Sequence, residues 1–339
     1  MVAVKWIVVA LLATGCISKP DKPGGPRVWK QIAGASQPGL LITPRMAYDP
    51  ALKSIVMFGG EEVPENGSQS ISNAMWRFDG AQWLQLCDPC LAIPHLMPGF
   101  ASDGHRFVAV AGVTDVAGHD DSHDAFEYTN GMWVPLVTTG TGPTNRNMGQ
   151  LVAFRDQLYE IGGYDGATPS VEHDAYALDG TTWTPLAVST SMFAGGGQII
   201  AADTDNDRIV ALVDDGDNGM FDGLWSFDGV WKPLCTTCTN LERSGASIVH
   251  IDGVDLTLIL GGGTDQGGNA PIGGTWSYSG TAAAAIRYDD TAEQPFPPRS
   301  LFGVAYDPEH DIVVVYGGLG CGPNHENACA ETWELDRVR

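Results

Sequence analysis

The sequence is poor in charge, and poorest in positive charge. Only 17% of its 339 residues are charged, and 18 Lys and Arg stand against 41 Asp and Glu, giving a formal net charge of −23. Nucleic acids and anionic lipid surfaces repel so acidic a chain, so we expect no nucleic-acid partner. Helical bundles and coiled coils are not expected either, because their solvated faces depend on charged residues that are scarce here.

Long hydrophobic runs are also missing, with one short exception at the amino terminus. Lys5 precedes an apolar run over residues 6–13, too short to cross a bilayer but typical of the hydrophobic part of a secretory signal. The run ends in Leu-Ala-Thr-Gly-Cys at residues 12–16, which resembles the bacterial lipoprotein signal, where cleavage before the cysteine lets its thiol carry a diacylglycerol. We therefore expect residues 1–15 to be a signal peptide and Cys16 to be lipidated. An ordinary signal peptide with a chance cysteine is the alternative.

The next segment has the composition of a tether. Residues 17–27 hold three prolines and two glycines and show no apolar periodicity, so we assign residues 16–27 to a flexible, lipid-anchored linker. No Asp follows Cys16, which in Gram-negative lipoproteins favours the outer membrane. The expected location is the bacterial cell envelope, with the lipid as the only membrane contact.

The cysteines support export independently. Without Cys16, six remain in three close pairs: Cys87 with Cys90, Cys235 with Cys238, and Cys321 with Cys329. An even number at short spacing in an exported chain indicates disulfides. A zinc site shared by the two C-x-x-C pairs is the alternative, and it needs all four thiolates to converge.

Tryptophan reveals an internal repeat. Trp83, Trp133, Trp183 and Trp231 are separated by 50, 50 and 48 residues, and each has a Leu three positions later. Before each lies a second aromatic in a segment that ends in an Asp-Gly or Asn-Gly turn, which is typical of a β-hairpin. Upstream of each hairpin is an apolar run that usually closes in glycine, and a fourth run precedes that one. Each repeat therefore predicts four short strands.

Four strands per fifty residues, with a glycine doublet after the second, resemble the kelch repeat. The resemblance covers residues 28–339 and implies an all-β, six-bladed kelch-type β-propeller with four-stranded antiparallel blades. The last repeat ends with its third strand at 333–336, while residues 29–32 have a fourth-strand pattern with nothing before them. We therefore expect the amino-terminal strand to complete the last blade.

Candidate binding residues lie where the first strands begin. Arg146, Arg243 and Arg299 occupy this position in three repeats and His95 occupies it in the second, near where kelch propellers line the mouth of the central channel. Converging arginines could bind the carboxylate of an acidic sugar or peptide. The favoured alternative is that they form hydrogen bonds between the blades, because pairing of arginine with carboxylates is a common structural device.

One loop collects residues of metal-ligand type. It contains His119, Asp120, Asp121, His123 and Asp124, a set that suits calcium or zinc. A solvated acidic loop is the favoured alternative, because ligands adjacent in sequence rarely face one point. No cofactor is therefore predicted.

Recognised catalytic signatures are missing as well. The sequence has no serine nucleophile elbow, phosphate-binding loop or H-E-x-x-H motif. A monomeric propeller that acts as a binding or scaffolding module for a protein or glycan partner is the favoured function. The alternative is a carbohydrate-active enzyme, similar to sugar mutarotases, that uses the arginines at the channel mouth.

Overall fold

The computed structural model describes most of the chain after the tether. The described residues are 27–337, apart from 35–36, 65–66, 91–94, 117–120, 169, 188–197, 215–218, 236–240, 281–284, 289–294 and 326. The expected signal peptide and Cys16 lie outside them. Regular structure in the described ranges is β-strand, and no helix there is long and apolar enough to span a membrane. The all-β prediction is confirmed.

The strands are short. In chain order they are β1 (Arg27–Ile32), β2 (Leu41–Ile42), β3 (Arg45–Asp49), β4 (Ser54–Phe58), β5 (Glu61–Glu62), β6 (Ser70–Ile71), β7 (Met75–Phe78), β8 (Trp83–Cys87), β9 (Gly99–Ser102), β10 (Phe107–Val113), β11 (Asp121–Thr129), β12 (Met132–Pro135), β13 (Thr139–Gly140), β14 (Gln150–Phe154), β15 (Gln157–Asp165), β16 (Ser170–Asp179), β17 (Thr182–Pro185), β18 (Gln198–Asp203), β19 (Arg208–Val213), β20 (Gly223–Phe227), β21 (Trp231–Cys235), β22 (Ser247–Ile251), β23 (Leu256–Leu260), β24 (Thr275–Tyr278), β25 (Ile286–Arg287), β26 (Gly303–Asp307), β27 (Ile312–Tyr316), β28 (Leu319–Cys321), β29 (Asn327–Ala328) and β30 (Thr332–Arg337).

Most of these strands form six antiparallel meanders of four strands each, which we number along the chain. Sheet 1 is β3-β4-β7-β8, sheet 2 is β9-β10-β11-β12, sheet 3 is β14-β15-β16-β17, sheet 4 is β18-β19-β20-β21, sheet 5 is β22-β23-β24-β25, and sheet 6 is β26-β27-β30-β1. The short strand β13 adds a fifth, parallel strand to sheet 3. The remaining strands form two small sheets, β2-β5-β6 and β28-β29.

Sheet 6 joins the two ends of the described chain. Strand β1 pairs antiparallel with β30, so that Trp29 lies opposite Leu335. The buried Arg27 reinforces the junction, because its guanidinium donates to the backbone carbonyl of Asp311 at 2.7 Å and pairs with the carboxylate of the same residue. The amino-terminal strand thus lies where the repeat predicts it, as the fourth strand of the last sheet.

Each sheet packs on two others through an apolar cluster. The first strands of neighbouring sheets touch in sequence, from β3 to β9, β14, β18, β22 and β26, and β26 also touches β3. Six clusters of buried residues lie between consecutive sheets, one of them between sheets 6 and 1, where Met57 and Trp83 meet Val314 and Tyr316. The core is therefore divided among the interfaces.

The repeated tryptophans belong to these interfaces. Trp29, Trp83, Trp133, Trp183 and Trp231, each in a fourth strand, are all buried. Two of them also bond to the sheet before: the Trp29 indole donates to the Thr275 hydroxyl at 3.0 Å, and the Trp83 indole to the Thr332 hydroxyl at 2.9 Å. The 50-residue spacing of the tryptophans therefore reflects the packing of each of these fourth strands between sheets.

The glycine doublet lets two neighbouring backbone segments approach closely. Gly317 and Gly318 have φ of 72° and 86°, and a Cβ on them would lie 2.5 Å from the Leu41 carbonyl oxygen and 2.4 Å from that of Ser300. In this arrangement the Gly318 amide donates to the Leu41 carbonyl at 2.8 Å. A side chain here would be strained and would also push away β2, the short strand that precedes sheet 1.

The packing of β1, the fourth strand of sheet 6, against the neighbouring sheet leads to a prediction about stability. Replacing Trp29 by Ala should lower the free energy of unfolding by about 3–5 kcal/mol, because it leaves a cavity and removes the bond to Thr275. The change is measured from the midpoint of urea unfolding, provided that the dependence of the free energy of unfolding on urea concentration keeps its slope. Val137→Ala is the control, since Val137 is 81% exposed and should cost under about 0.5 kcal/mol. Equal midpoints for the two variants would contradict a structural role for β1.

Candidate functional site

The connections between strands divide the molecule into two different faces. Strands 1 and 2 of each sheet, and strands 3 and 4 of sheets 1 to 4, are joined by tight turns, such as residues 50–53 and 79–82. The connections from strand 2 to strand 3, and from strand 4 to the next sheet, are longer, and they emerge at the opposite end because alternate connections of an antiparallel meander share a side. We call these ends the turn face and the loop face.

Disulfides stiffen the loop face. Cys87 bonds to Cys90 with a Cα–Cα distance of 5.2 Å, and Cys321 bonds to Cys329 with a distance of 5.4 Å, so these two predicted bridges are present. Cys235 is also disulfide-bonded, while Cys238 lies outside the described residues. Thiols held in disulfides are not available to the zinc site considered as the alternative.

Metal-type ligands do not assemble a plausible centre in the described residues. The one group of three that comes together there is Cys321, Cys329 and Glu331, within 4.8 Å. Its two cysteines form a disulfide, and the Glu331 carboxylate accepts hydrogen bonds from Arg299 at 2.6 Å and from the Trp333 indole at 3.0 Å. This cluster is therefore part of the framework.

The predicted metal loop is engaged in local contacts. Asp121 accepts hydrogen bonds from the Asn147 side chain at 2.8 Å and the Gly166 amide at 2.5 Å, while the His123 ring contacts the Asn145 amide oxygen. Asp124 is exposed, and His119 and Asp120 lie outside the described residues. No three ligands converge in the described part of this loop.

The three predicted arginines are all buried, and they make the same hydrogen bond. Each is at most 1% exposed and donates from Nη1 to the carbonyl of the first glycine of the doublet in its own sheet: Arg146 to Gly162 at 2.9 Å, Arg243 to Gly261 at 3.0 Å, and Arg299 to Gly317 at 2.8 Å.

Further contacts hold each guanidinium within its sheet. Asp174 accepts two hydrogen bonds from Arg146, at 2.5 and 3.0 Å. Arg243 stacks 3.8 Å above the Trp276 ring, and burial, aided by the charge of Arg287, lowers the pKa of Arg243 to about 10. The Arg299 guanidinium donates to the Glu331 carboxylate, and the buried His95 ring packs edge-on against Phe126. These residues are thus integrated into the fold at the loop face.

The two faces differ in where their cations lie. Exposed or half-buried carboxylates of the loop face come from many connections: Glu61, Glu62, Asp88, Asp115, Asp121, Asp124, Asp165, Glu172, Asp174, Asp222, Glu242, Asp265 and Glu331. Its cations in the described residues are the three buried arginines, the half-buried Arg45 at the start of β3, and Arg287, which stacks on Trp276 at 4.4 Å, and no lysine lies there. The turn face also carries exposed carboxylates, among them Asp156, Asp179 and Asp228, but Lys53, Arg106, Arg155, Arg208 and Lys232 lie there too, each paired with a carboxylate. The charged side chains that are exposed on the described loop face are therefore carboxylates.

A second feature lies between the first strands. A cavity of about 110 Å³ is lined by residues from the first-strand region of all six sheets. One residue from each first strand forms a ring around it: Arg45, Gly99, Gln150, Ile199, Ser247 and Gly303. Their partners in the second strands are Phe58, Val110, Ile161, Leu212, Leu260 and Tyr316. Arg45 is the one charged residue in the lining.

A buried carboxyl lies behind the cavity wall. Glu160 on β15 is 0% exposed, and neither carboxyl oxygen has a hydrogen-bond partner among the described residues. Gly99 and Gly149, which line the cavity, make room for it, since a Cβ there would lie 2.4 and 2.0 Å from its oxygens. Burial raises the pKa of Glu160 to about 8, against the opposing effect of Arg146 and Arg45.

Glu160 was not identified from the sequence, although a comparison of equivalent positions in the six repeats sets it apart. Two residues before the doublet, the other five repeats have apolar side chains: Met57, Ala109, Ala211, Ile259 and Val315. A glutamate that replaces an apolar residue in one repeat marks a position where packing alone does not explain the residue type. Gln198 lies nearby, and its Oε1 is likewise buried without a partner in the described structure, while its Nε2 donates to the Ile161 carbonyl at 2.6 Å.

Comparison of the chain with protein-family models and with curated proteins finds no match. The function must therefore be argued from the geometry itself.

Glu160 generates a pH prediction. Because its folded pKa of about 8 exceeds its ordinary value of 4.5, the unfolded chain releases the proton first, and stability should fall as pH rises between these values. The full loss in the free energy of unfolding, once both states are ionised, is roughly 5 kcal/mol. Glu160→Gln should remove this pH dependence. In urea unfolding, the free energy of unfolding of the variant relative to that of the wild type should therefore rise from pH 5 to pH 8. Glu309→Gln, at the turn face, is the control, and a parallel pH dependence in all three proteins would refute the assignment.

Proposed function

We propose that the chain is an exported lipoprotein with a closed six-bladed propeller of the kelch type. Six four-stranded sheets, the contact of β26 with β3, and the apolar cluster between sheets 6 and 1 support closure of the ring. The glycine doublets and the buried fourth-strand tryptophans support the kelch assignment. Each sheet is then one blade, and the 110 Å³ cavity lies in the central channel.

The proposed location is the outer membrane of the bacterial envelope, reached through a lipid on Cys16. Disulfides on the loop face suit an oxidising compartment. Strand β1 begins at the turn face, where Arg27 bonds to Asp311 in the turn between β26 and β27. The tether therefore joins the propeller at the turn face, which is the end opposite the loop face.

The proposed activity is binding of a protein partner with a positively charged surface to the loop face. One observation carries this proposal: the longer connections and the disulfides share a face whose exposed charges are carboxylates, while its arginines are held internally. Rigid loops on a stable scaffold are typical recognition elements. Complementary charge steers a basic partner toward this face and disfavours acidic ones.

A carbohydrate-active enzyme that works through Arg146, Arg243 and Arg299 is less well supported. Each of these guanidinium groups is committed to a glycine carbonyl and to an acidic or aromatic group of its own sheet. A substrate carboxylate would have to displace those contacts.

Site-directed photo-crosslinking in the intact envelope tests the binding surface. A crosslinker at Asp124 or Gln266, on the loop face, should capture a protein whose surface is basic, whereas one at Asp156, on the turn face, should not. For the purified pair, the triple variant Glu62→Gln, Asp124→Asn, Glu242→Gln should weaken binding about tenfold, mainly through a slower association rate.

The matched control is the turn-face triple variant Asp156→Asn, Asp179→Asn, Asp228→Asn, which removes the same charge from exposed positions. It should leave the affinity unchanged. Crosslinking from the turn face alone, or equal affinity of both triple variants, would be incompatible with the proposal.

The anchor is tested separately by fractionation of the cells. Cys16→Ser should move the protein from the membrane fraction to the soluble envelope fraction and abolish labelling with a radioactive fatty acid, because the thiol is the acylation site. Ser122→Ala, in the propeller, is the control that should remain membrane-bound and labelled. A Cys16→Ser protein that is processed as before and still fractionates with the membrane would exclude the proposed anchor.

A further inference from the structure

The central cavity contains a positive charge that the fold does not neutralise. Arg45, at the start of β3, lines the cavity, and its Nε is buried without a hydrogen-bond partner in the described structure. No carboxylate of the described residues forms an ion pair with it, in contrast to Arg146 and Arg299, which bond to Asp174 and Glu331. Burial lowers the pKa of Arg45 to about 10, so the group stays charged near neutrality while poorly solvated.

Arg45 is half-buried, and apolar packing does not require a cation at its position. Its buried Nε has given up water without gaining a hydrogen-bond partner among the described residues, which is unfavourable unless another group supplies one. In the same ring the other five sheets place uncharged residues, namely Gly99, Gln150, Ile199, Ser247 and Gly303. The arginine is therefore a departure from the repeat, as Glu160 is at its own position.

Glu160 does not act as the missing counter-charge. It interacts with Arg45 through space, but no hydrogen bond or ion pair joins the two side chains, and its carboxyl is protonated at pH 7 because burial raises its pKa. The charged groups that influence Glu160 are Arg146, Arg45 and Asp174, and Arg146 is already bonded to Asp174. The positive charge of the cavity is thus left for another group to balance.

We propose that the central cavity is a binding site for a small carboxylate anion, with the Arg45 guanidinium as the group that recognises its charge. The cavity volume of about 110 Å³ holds an anion of a few heavy atoms. It is well below the roughly 300–1,000 Å³ of sites for drug-sized ligands. Guanidinium and carboxylate match in geometry, so two parallel hydrogen bonds can form. This site is independent of the acidic loop face proposed above for a protein partner.

The buried groups around the cavity give this site a pH dependence. While Glu160 is protonated it adds no negative charge near the anion. Above pH 8 it ionises, offsets the charge of Arg45 and repels a carboxylate ligand. Anion affinity should therefore fall as pH rises past about 8, which is a property that a simple exposed arginine lacks.

Thermal unfolding and calorimetric titration of the propeller with its native disulfides test the proposal, using acetate and pyruvate at constant ionic strength. Both anions should raise the midpoint and bind with one site per chain at pH 6.5. Acetamide, which has the shape of acetate without its charge, should do neither. Arg45→Met should abolish the response, Arg45→Lys should retain a weaker one, and Arg155→Met, at the exposed turn face, should behave as the wild type.

The pH dependence of anion affinity distinguishes binding in the cavity from binding elsewhere on the surface. Between pH 6.5 and pH 9 the affinity of the wild type should fall at least about tenfold, while Glu160→Gln should show little change. The proposal is overturned if acetate and acetamide act alike on the wild type, if neither anion binds, or if Arg45→Met responds as the wild type does. The contrast between acetate and acetamide needs no variant, so a failure of Arg45→Met to fold does not weaken the test.

Discussion

Apolar packing between neighbouring sheets is the interaction on which the rest of this structure depends. A four-stranded sheet cannot bury its apolar faces by itself, and each sheet here buries them against its two neighbours. The six clusters between sheets include one that joins sheet 6 to sheet 1, and the pairing of β1 with β30 completes the sheet that makes this contact. Loop geometry, disulfides and the central cavity are positioned by this packing.

Much of this organisation could be predicted from the sequence. The strands, the spacing of the fourth-strand tryptophans, the place of β1 and two of the disulfides follow from local patterns with a strong physical cause. The short strands outside the four-stranded meanders, such as β2, β13 and β28, were not predicted, because two or three residues carry no periodicity. Glu160 was missed because a residue between two sheets is recognised only when the repeats are compared position by position.

Arginine shows why candidate sites are harder to predict than strands. Arg146, Arg243 and Arg299 were proposed as ligands for a carboxylate, and the structure gives all three a bond to a glycine carbonyl of their own sheet. Arg45, which was not singled out, is the arginine that lines the cavity without an ion pair among the described residues. A long side chain selects its partner in three dimensions, and sequence position alone does not identify that partner.

The most direct test of this account is native-state hydrogen exchange of the β1 amides that bond to β30. If β1 is an integral strand of a closed ring, these amides should exchange only through global unfolding, with the same free energy as the core amides of β27. Exchange of β1 at a much lower free energy, with β27 still fully protected, would mean that the amino-terminal strand frays independently. That result would contradict the central claim that this strand is an integral part of sheet 6 and joins the two ends of the described chain.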